Sequence, residues 1–227
     1  MDIINKLTEI FKEFPGIGER QAKRFVYFLM SKNGSYSENL SLLIKELKKD
    51  TAQCTECFKF FLKKAPTPKG VGIPTESVGK EMCEICADTN ADTSVLLVVE
   101  KDSDLESIHK SRIYNGKYFI LGGLVPIVEK NTNTKIRINE LIEKIKRDFL
   151  KPASTRGDSS TRGGEIILAF SLNPQGNHTD FYMRNQLKSV CESLNIKISS
   201  LGKGLSTGTE LEYSDNDTLK NALKNRQ

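Results

Sequence analysis

The chain has 227 residues and a mass of 25.5 kDa, with 37% hydrophobic and 28% charged residues and a mean hydropathy of -0.40. That is enough apolar material for one sizeable core or two small ones, and it excludes general disorder. No apolar run of membrane-spanning length occurs, and the net charge of +5, from 34 basic and 29 acidic residues, permits a polyanionic partner without requiring one.

The N-terminus, Met-Asp-Ile-Ile-Asn-Lys, has no basic stretch leading into an apolar one, so a cytoplasmic protein is expected. Ile3, Ile4, Leu7, Ile10 and Phe11 fall at helical spacing over residues 2–11. Pro15-Gly16-Ile17-Gly18 breaks the pattern, which resumes at Ala22, Phe25, Val26, Leu29 and Met30. Asn33-Gly34-Ser35 reads as a stop and turn. A third helix is expected from about Glu38 to Gln53, with Leu40, Leu43, Ile44 and Leu47 on one face. Residues 54–88 bring cysteines and closely spaced prolines and glycines, a loop-rich composition that needs a metal to hold it.

From Ser94 onward strands and helices alternate. Strands are expected at Ser94–Val99, Tyr118–Leu121, Glu165–Ser171 and Ile196–Ser199. Helices are expected at Asp102–Arg112, Ile138–Phe149 and Asp180–Leu194. Such alternation predicts an α/β domain with a mostly parallel sheet. Lys151–Gly164 is polar and reads as a surface loop. The expected class is therefore a multi-module α+β chain. Its modules are a helical hairpin region (1–53), a small metal module (54–88), an α/β domain (94–200) and a C-terminal glycine-containing segment with a helix (201–227).

The sharpest local signal is Cys54-x-x-Cys57 with Cys83-x-x-Cys86. Two residues between thiols let both sulfurs reach one ion, and two such knuckles complete a tetrahedral S₄ site suited to zinc. Redox dithiols or unliganded thiols are the other readings. Four cysteines fill every position around one Zn²⁺ per chain, which predicts a structural rather than a catalytic metal. Cys191 falls on an apolar helical face with Leu187, Val190 and Leu194, as a buried thiol does.

Phe14-Pro15-Gly16-Ile17-Gly18 lies between two amphipathic helices. Gly16 and Gly18 permit a tight turn and close backbone approach, and the next helix offers its N-terminus to an anion. Arg20, Lys23 and Arg24 follow, off the apolar stripe. A helix-hairpin-helix grips a DNA phosphate in this way without reading sequence, and an ordinary turn with a solvated basic face is the alternative. Glu100 ends a buried strand, with Asp102 and Asp104 close behind. Carboxylates there could hold Mg²⁺, or simply start the next helix. His109 and His178 lack metal-ligand spacing, and no Walker A motif or nucleophile elbow occurs.

Taken in order, these motifs resemble the RecR family of bacterial recombination mediators over nearly the whole length. Phe14-Pro-Gly-Ile-Gly with Ala22 and Arg24 is similar to the family's hairpin. Cys83-Glu-Ile-Cys86 is similar to its second zinc knuckle. Val98-Val-Glu100 with Asp104-Leu105 resembles the first Toprim strand and its exit, with Glu100 at the Toprim acidic position. Gly116-Lys-Tyr118 with Leu121-Gly-Gly123 resembles the Tyr-His-Val-Leu-Gly-Gly stretch. Gly204-Leu205, Gly208, Leu211-Glu-Tyr213, Asp215, Thr218-Leu219 and Ala222-Leu223 resemble the C-terminal signature.

There are departures. Phe119 stands for the family's histidine and Ala91 for an arginine after the last zinc cysteine. Asn173–Thr179 is a shortened segment without the family's acids. The resemblance implies a sequence-independent DNA clamp, a dimer or tetramer ring, acting with RecO and/or RecF to help load RecA. It implies no enzyme activity, because catalytic Toprim proteins add a later Asp-x-Asp where this chain has Asn173-Pro174-Gln175. A metal-dependent Toprim nuclease or primase and a zinc-stabilised protein adaptor are the alternative functions.

Overall fold

The structure, a computed structural model, describes residues 2–63, 82–127, 136–150, 164–202, 204, 212 and 216–224. Contacts divide the chain into two compact units, Met1–Ala52 with Leu62–Lys69, and Gln53–Phe61 with Gly70–Gln227.

In the first unit, α1 (Ile3–Lys12) starts at Asp2, whose carboxylate caps the helix by accepting from the Asn5 N–H at 2.8 Å. Helix α2 (Glu19–Met30) packs on it through buried Thr8, Ala22 and Val26, and the Phe11 ring meets Phe25 edge to face at 5.8 Å. Helix α3 spans Gly34–Asp50, not Glu38–Gln53. Asn33 does not stop a helix; its side chain accepts from the Tyr36 N–H at 3.0 Å and starts one. Thr51–Gln53 is instead strand β1, which forms a two-stranded sheet with β2 (Phe60–Leu62). The expected apolar face of α3 is present but uncovered, with Leu43, Ile44 and Leu47 exposed.

The second unit is built on four parallel strands in the order β4-β3-β5-β6. They are β3 (Asp92–Val99), β4 (Gly116–Ile120), β5 (Gly164–Ala169) and β6 (Ile196–Ser200). In register, Val98 stands beside Phe119 on one side and Leu168 on the other. Side chains of β3 alternate between two buried faces, which is why the strand reads as one continuous apolar run. Leu96 and Val98 pack with Leu141 and Ile145 of α6 (Ile138–Phe149) and with Met183 and Leu187 of α7 (Pro174–Leu194). Leu97 and Val99 pack with Leu105 of α5 (Asp102–Ser111) and with three of the cysteines.

Helix α7 begins at Pro174, ahead of the expected Asp180. Asn173 caps it by accepting from the Gly176 N–H at 2.7 Å, and Pro174 occupies its first turn. Gly176 does not break the chain here. A Cβ at that position would lie 1.8 Å from the Ser171 carbonyl oxygen, so the glycine serves close packing. Cys191 is buried on this helix, and burial pushes its thiol up to about 11. The short α4 (Glu84–Ala87) and the C-terminal α8 (Asn216–Lys224) complete the described elements. The expected loop at Lys151–Gly164 lies outside the described residues except for Gly164, which opens β5.

Candidate metal centre and nucleic-acid interface

The four predicted cysteines come together. The Sγ atoms of Cys54, Cys57, Cys83 and Cys86 all lie within 4.8 Å of one another, and Cys57 and Cys83 are 3.5 Å apart. A tetrahedron of sulfurs around zinc has edges of about 3.8 Å, so the cluster fits the ion. Local backbone bonds set each knuckle. Phe58 N–H donates to the Cys54 carbonyl at 2.9 Å, and Cys54 N–H donates to the Lys59 carbonyl at 2.8 Å. Phe58 is left-handed, at φ 63°, which turns the chain back after Cys57. Cys83 caps α4, and its N–H points at the Cys54 sulfur at 3.4 Å.

The four thiols crowd and perturb one another. Hydrogen bonds from Cys57, then Cys83 and Cys86, hold Cys54 well below the ordinary thiol range. The bond to Cys54 pushes Cys57 and Cys86 up. Cys54, Cys57, Cys83 and Cys86 could hold a divalent cation, which would take the place of the thiol protons.

The knuckle is tied to the domain it sits on. Ile120 N–H donates to the Cys57 carbonyl at 2.9 Å, and Phe60 N–H donates to the Asp102 carboxylate at 2.8 Å. The Arg137 guanidinium lies over the Phe58 ring at 4.9 Å and donates to the Ile120 carbonyl at 3.1 Å. Glu56, inside the first Cys-x-x-Cys, pairs with Lys144 of α6 at 3.2 Å and with Arg147. Burial alone would lower the Lys144 ammonium, but the Asp148 and Glu56 carboxylates hold it above its ordinary value. Sequence reading missed this network because its partners are 88 residues apart and carry no local pattern.

In the other unit, the hairpin has the expected turn. Gly16 sits at φ 77°, and Ile17 N–H donates to the Phe14 carbonyl at 3.0 Å. Gly18 is the N-cap of α2 and has no side chain to cap with, so the first-turn N–H groups are left for another acceptor. A Cβ at either glycine would meet nothing within 4 Å, so at Gly16 it is the backbone dihedral, not crowding, that demands glycine. Arg20 and Arg24 are exposed, and Arg24 also reaches the Gln21 side chain at 3.3 Å. Lys23 is already engaged, because its Nζ bonds Glu19 at 2.7 Å. That pair raises the lysine and lowers the glutamate. Glu19 was not foreseen as a competitor for the basic face, although its i,i+4 spacing to Lys23 was the available signal.

The acidic residues do not gather. Glu100, at the end of β3, accepts from the Ser171 hydroxyl at 3.0 Å. Asp102 is occupied by Phe60, and Asp104 accepts from the Lys101 N–H at 3.3 Å at the start of α5. Where a second acidic pair would stand, Asn173 caps α7. Among the described residues, the four cysteines are the one group of three or more metal-ligating side chains close enough to share an ion.

Comparison with known proteins places these features together. The family model described as Toprim domain matches residues 94–201, and the one described as RecR, C-terminal, matches residues 204–227. The chain is 30% identical to the recombination protein RecR of Syntrophobacter fumaroxidans over 225 residues, covering 99% of this chain and 95% of that one. To the RecR of Dehalococcoides mccartyi it is 30% identical over 225 residues, with 99% and 94% covered. To that of Myxococcus xanthus it is 28% identical over 226 residues, with 100% and 98% covered.

Proposed function

The chain belongs to the RecR family, and from that premise we propose that it is a DNA-binding recombination mediator in DNA repair that catalyses no reaction itself. The observation that supports DNA binding most is the uncapped start of α2 at Gly18, flanked by exposed Arg20 and Arg24. Backbone N–H groups of that turn would meet a phosphate oxygen, and Gly16 and Gly18 would let the strand approach. Arg20 and Arg24 would add charge, and Lys23 would join once it leaves Glu19. Such contacts read no bases, so binding would be independent of sequence.

Cys54, Cys57, Cys83 and Cys86 would hold one structural Zn²⁺, which supplies a fixed cross-link between the two knuckles. The chain's own residues do the rest, as Glu56, Phe58 and Asp102 carry the knuckle on α6, β4 and α5. A non-enzymatic role is supported by the engagement of Glu100 with Ser171 and by Asn173 serving as a helix cap. The exposed Leu43, Ile44 and Leu47 support a homo-oligomer, a dimer or a ring-shaped tetramer. In a ring, modest phosphate contacts on each subunit add through avidity. We place the modules at 1–53, 54–88, 94–200 and 201–227, with the α/β domain docking RecO and/or RecF so that RecA can load. The setting is the cytoplasm; no described helix is long and apolar enough to cross a membrane.

The test is one incubation of the purified protein with labelled gapped DNA and Mg²⁺. Retained, intact DNA is the expected result. Cleaved or extended DNA would overturn the non-enzymatic reading, and DNA neither held nor changed would favour a protein adaptor.

A further inference from the structure

We propose that the exposed rings of Phe28 and Tyr36, with Tyr27 beside them, stack on the unpaired bases of a single DNA strand whose backbone is held at the start of α2. The inference rests on the DNA-binding reading and names the form of DNA that the hairpin holds.

Three observations converge on that ligand. First, the rings are large and face solvent. Tyr27 is 58% exposed, Phe28 48% and Tyr36 41%. Phe28, on the last turn of α2, and Tyr36, on the first turn of α3, meet edge to face at 6.0 Å, so the chain sets them against each other without covering them. Second, the surroundings suit a polyanion. The segment from Arg20 to Ser37 carries Arg20, Lys23, Arg24 and Lys32 and no acidic residue. The Lys32 ammonium stands 4.7 Å from the centre of the Phe28 ring and 5.9 Å from that of Tyr36. A strand would exchange this cation, its phosphate taking the ammonium and its base the ring face. Third, the rings continue the phosphate-binding end of the same helix. Arg20, Arg24 and Phe28 are all exposed and follow at i,i+4 spacing along one face, each step rising about 6 Å. A strand gripped at Gly18 and running along α2 therefore brings a following base to Phe28. Duplex bases are paired and stacked on one another and present no free face, which makes the platform selective for single strands. Every base has a π face, so the contact stays independent of sequence.

The experiment titrates the full chain into an end-labelled oligothymidylate and into an abasic strand with the same number of phosphates, read by fluorescence anisotropy. The thymidylate should bind about tenfold tighter. F28L, which keeps an apolar side chain but loses the ring, should remove most of that preference. It should leave the abasic affinity and the slope against log salt unchanged, because no phosphate contact is lost. F28Y, which keeps the ring, should bind as the native chain does. Equal affinity for the two strands, an unchanged thymidylate affinity in F28L, or a loss that F28Y shares would each overturn the platform. Gapped DNA held by the same preparation would then show that the hairpin reading survives, whereas failure to hold any of these DNAs would overturn both. A lower mass of F28L by light scattering would place the rings between copies of the chain and overturn the platform too.

Discussion

The backbone N–H of Ile120 donates to the carbonyl oxygen of Cys57 at 2.9 Å, so the last residue of β4 is completed by the first cysteine knuckle. The bond sets the knuckle across the carboxyl end of an edge strand. Chelation is therefore expected to raise the hydrogen-exchange rate at Ile120, as well as loosening residues 54–57 and 83–86, and to release about one zinc per chain. Unchanged protection at Ile120 in the metal-free protein would show that the sheet holds that end by itself.

On the hairpin, the two arginines and Glu19 should act in opposite directions. R20A with R24A is expected to weaken binding to gapped DNA and to flatten the slope of log affinity against log salt by about one per arginine. E19Q frees Lys23 and removes a negative charge from the helix start, so it should tighten binding. A titration series over salt distinguishes these outcomes; unchanged slopes would remove both arginines from the contact surface.

Lys144 is 6% exposed and lies between Glu56 at 3.2 Å and Asp148 at 2.8 Å. K144A leaves two carboxylates around an empty site and is expected to cost about 3 kcal/mol, less what Arg147 recovers. The pH dependence has a definite sign. Burial raises Asp148, but Lys144 and Arg147 overcome it and leave the carboxyl below its ordinary value. Its contribution is thus present above the ordinary carboxylate pKa of about 4 and is lost as pH falls through the depressed one. Thermal melts from neutral to acid pH should show this loss in the native chain and a shallower acid limb in K144A.

Gly16, at φ 77°, needs a conformation that L side chains rarely adopt. G16A should destabilise the first unit by about 1–2 kcal/mol through the backbone alone, since a Cβ there meets nothing. G18A, at φ -86°, carries no such dihedral penalty and should cost only the exchange of a favoured N-cap residue for a poor one, under about 1 kcal/mol. Equal effects in circular dichroism melts would contradict this distinction.

The parts legible in the sequence were those with a local period or a fixed spacing. Ile138–Phe149 is helical over the residues that its apolar spacing predicts, and the valine-rich run of β3 lies buried on both faces. The cysteine spacing located the four-cysteine cluster because both knuckles are local. What escaped depended on partners distant in sequence. Pro174–Thr179 looks like a loop until Asn173 is seen capping it and Gly176 is seen against Ser171. The short β1, β2 and α4 have no period to detect. Glu56 reads as a surface acid until Lys144 arrives from α6, and Glu19 was passed over beside the basic residues it restrains.

Gathering the four cysteines also has a kinetic consequence. Cys57 and Cys83 are 26 residues apart, and each strand pairing of the parallel sheet joins segments separated by a crossover. Closing such separations is what slows the folding of parallel sheets. An ion captured by the two knuckles in the unfolded chain would close one long loop before any strand pairs. Free zinc should therefore enter the rate law for refolding, and the speed with which newly made chains become competent should follow the zinc supply.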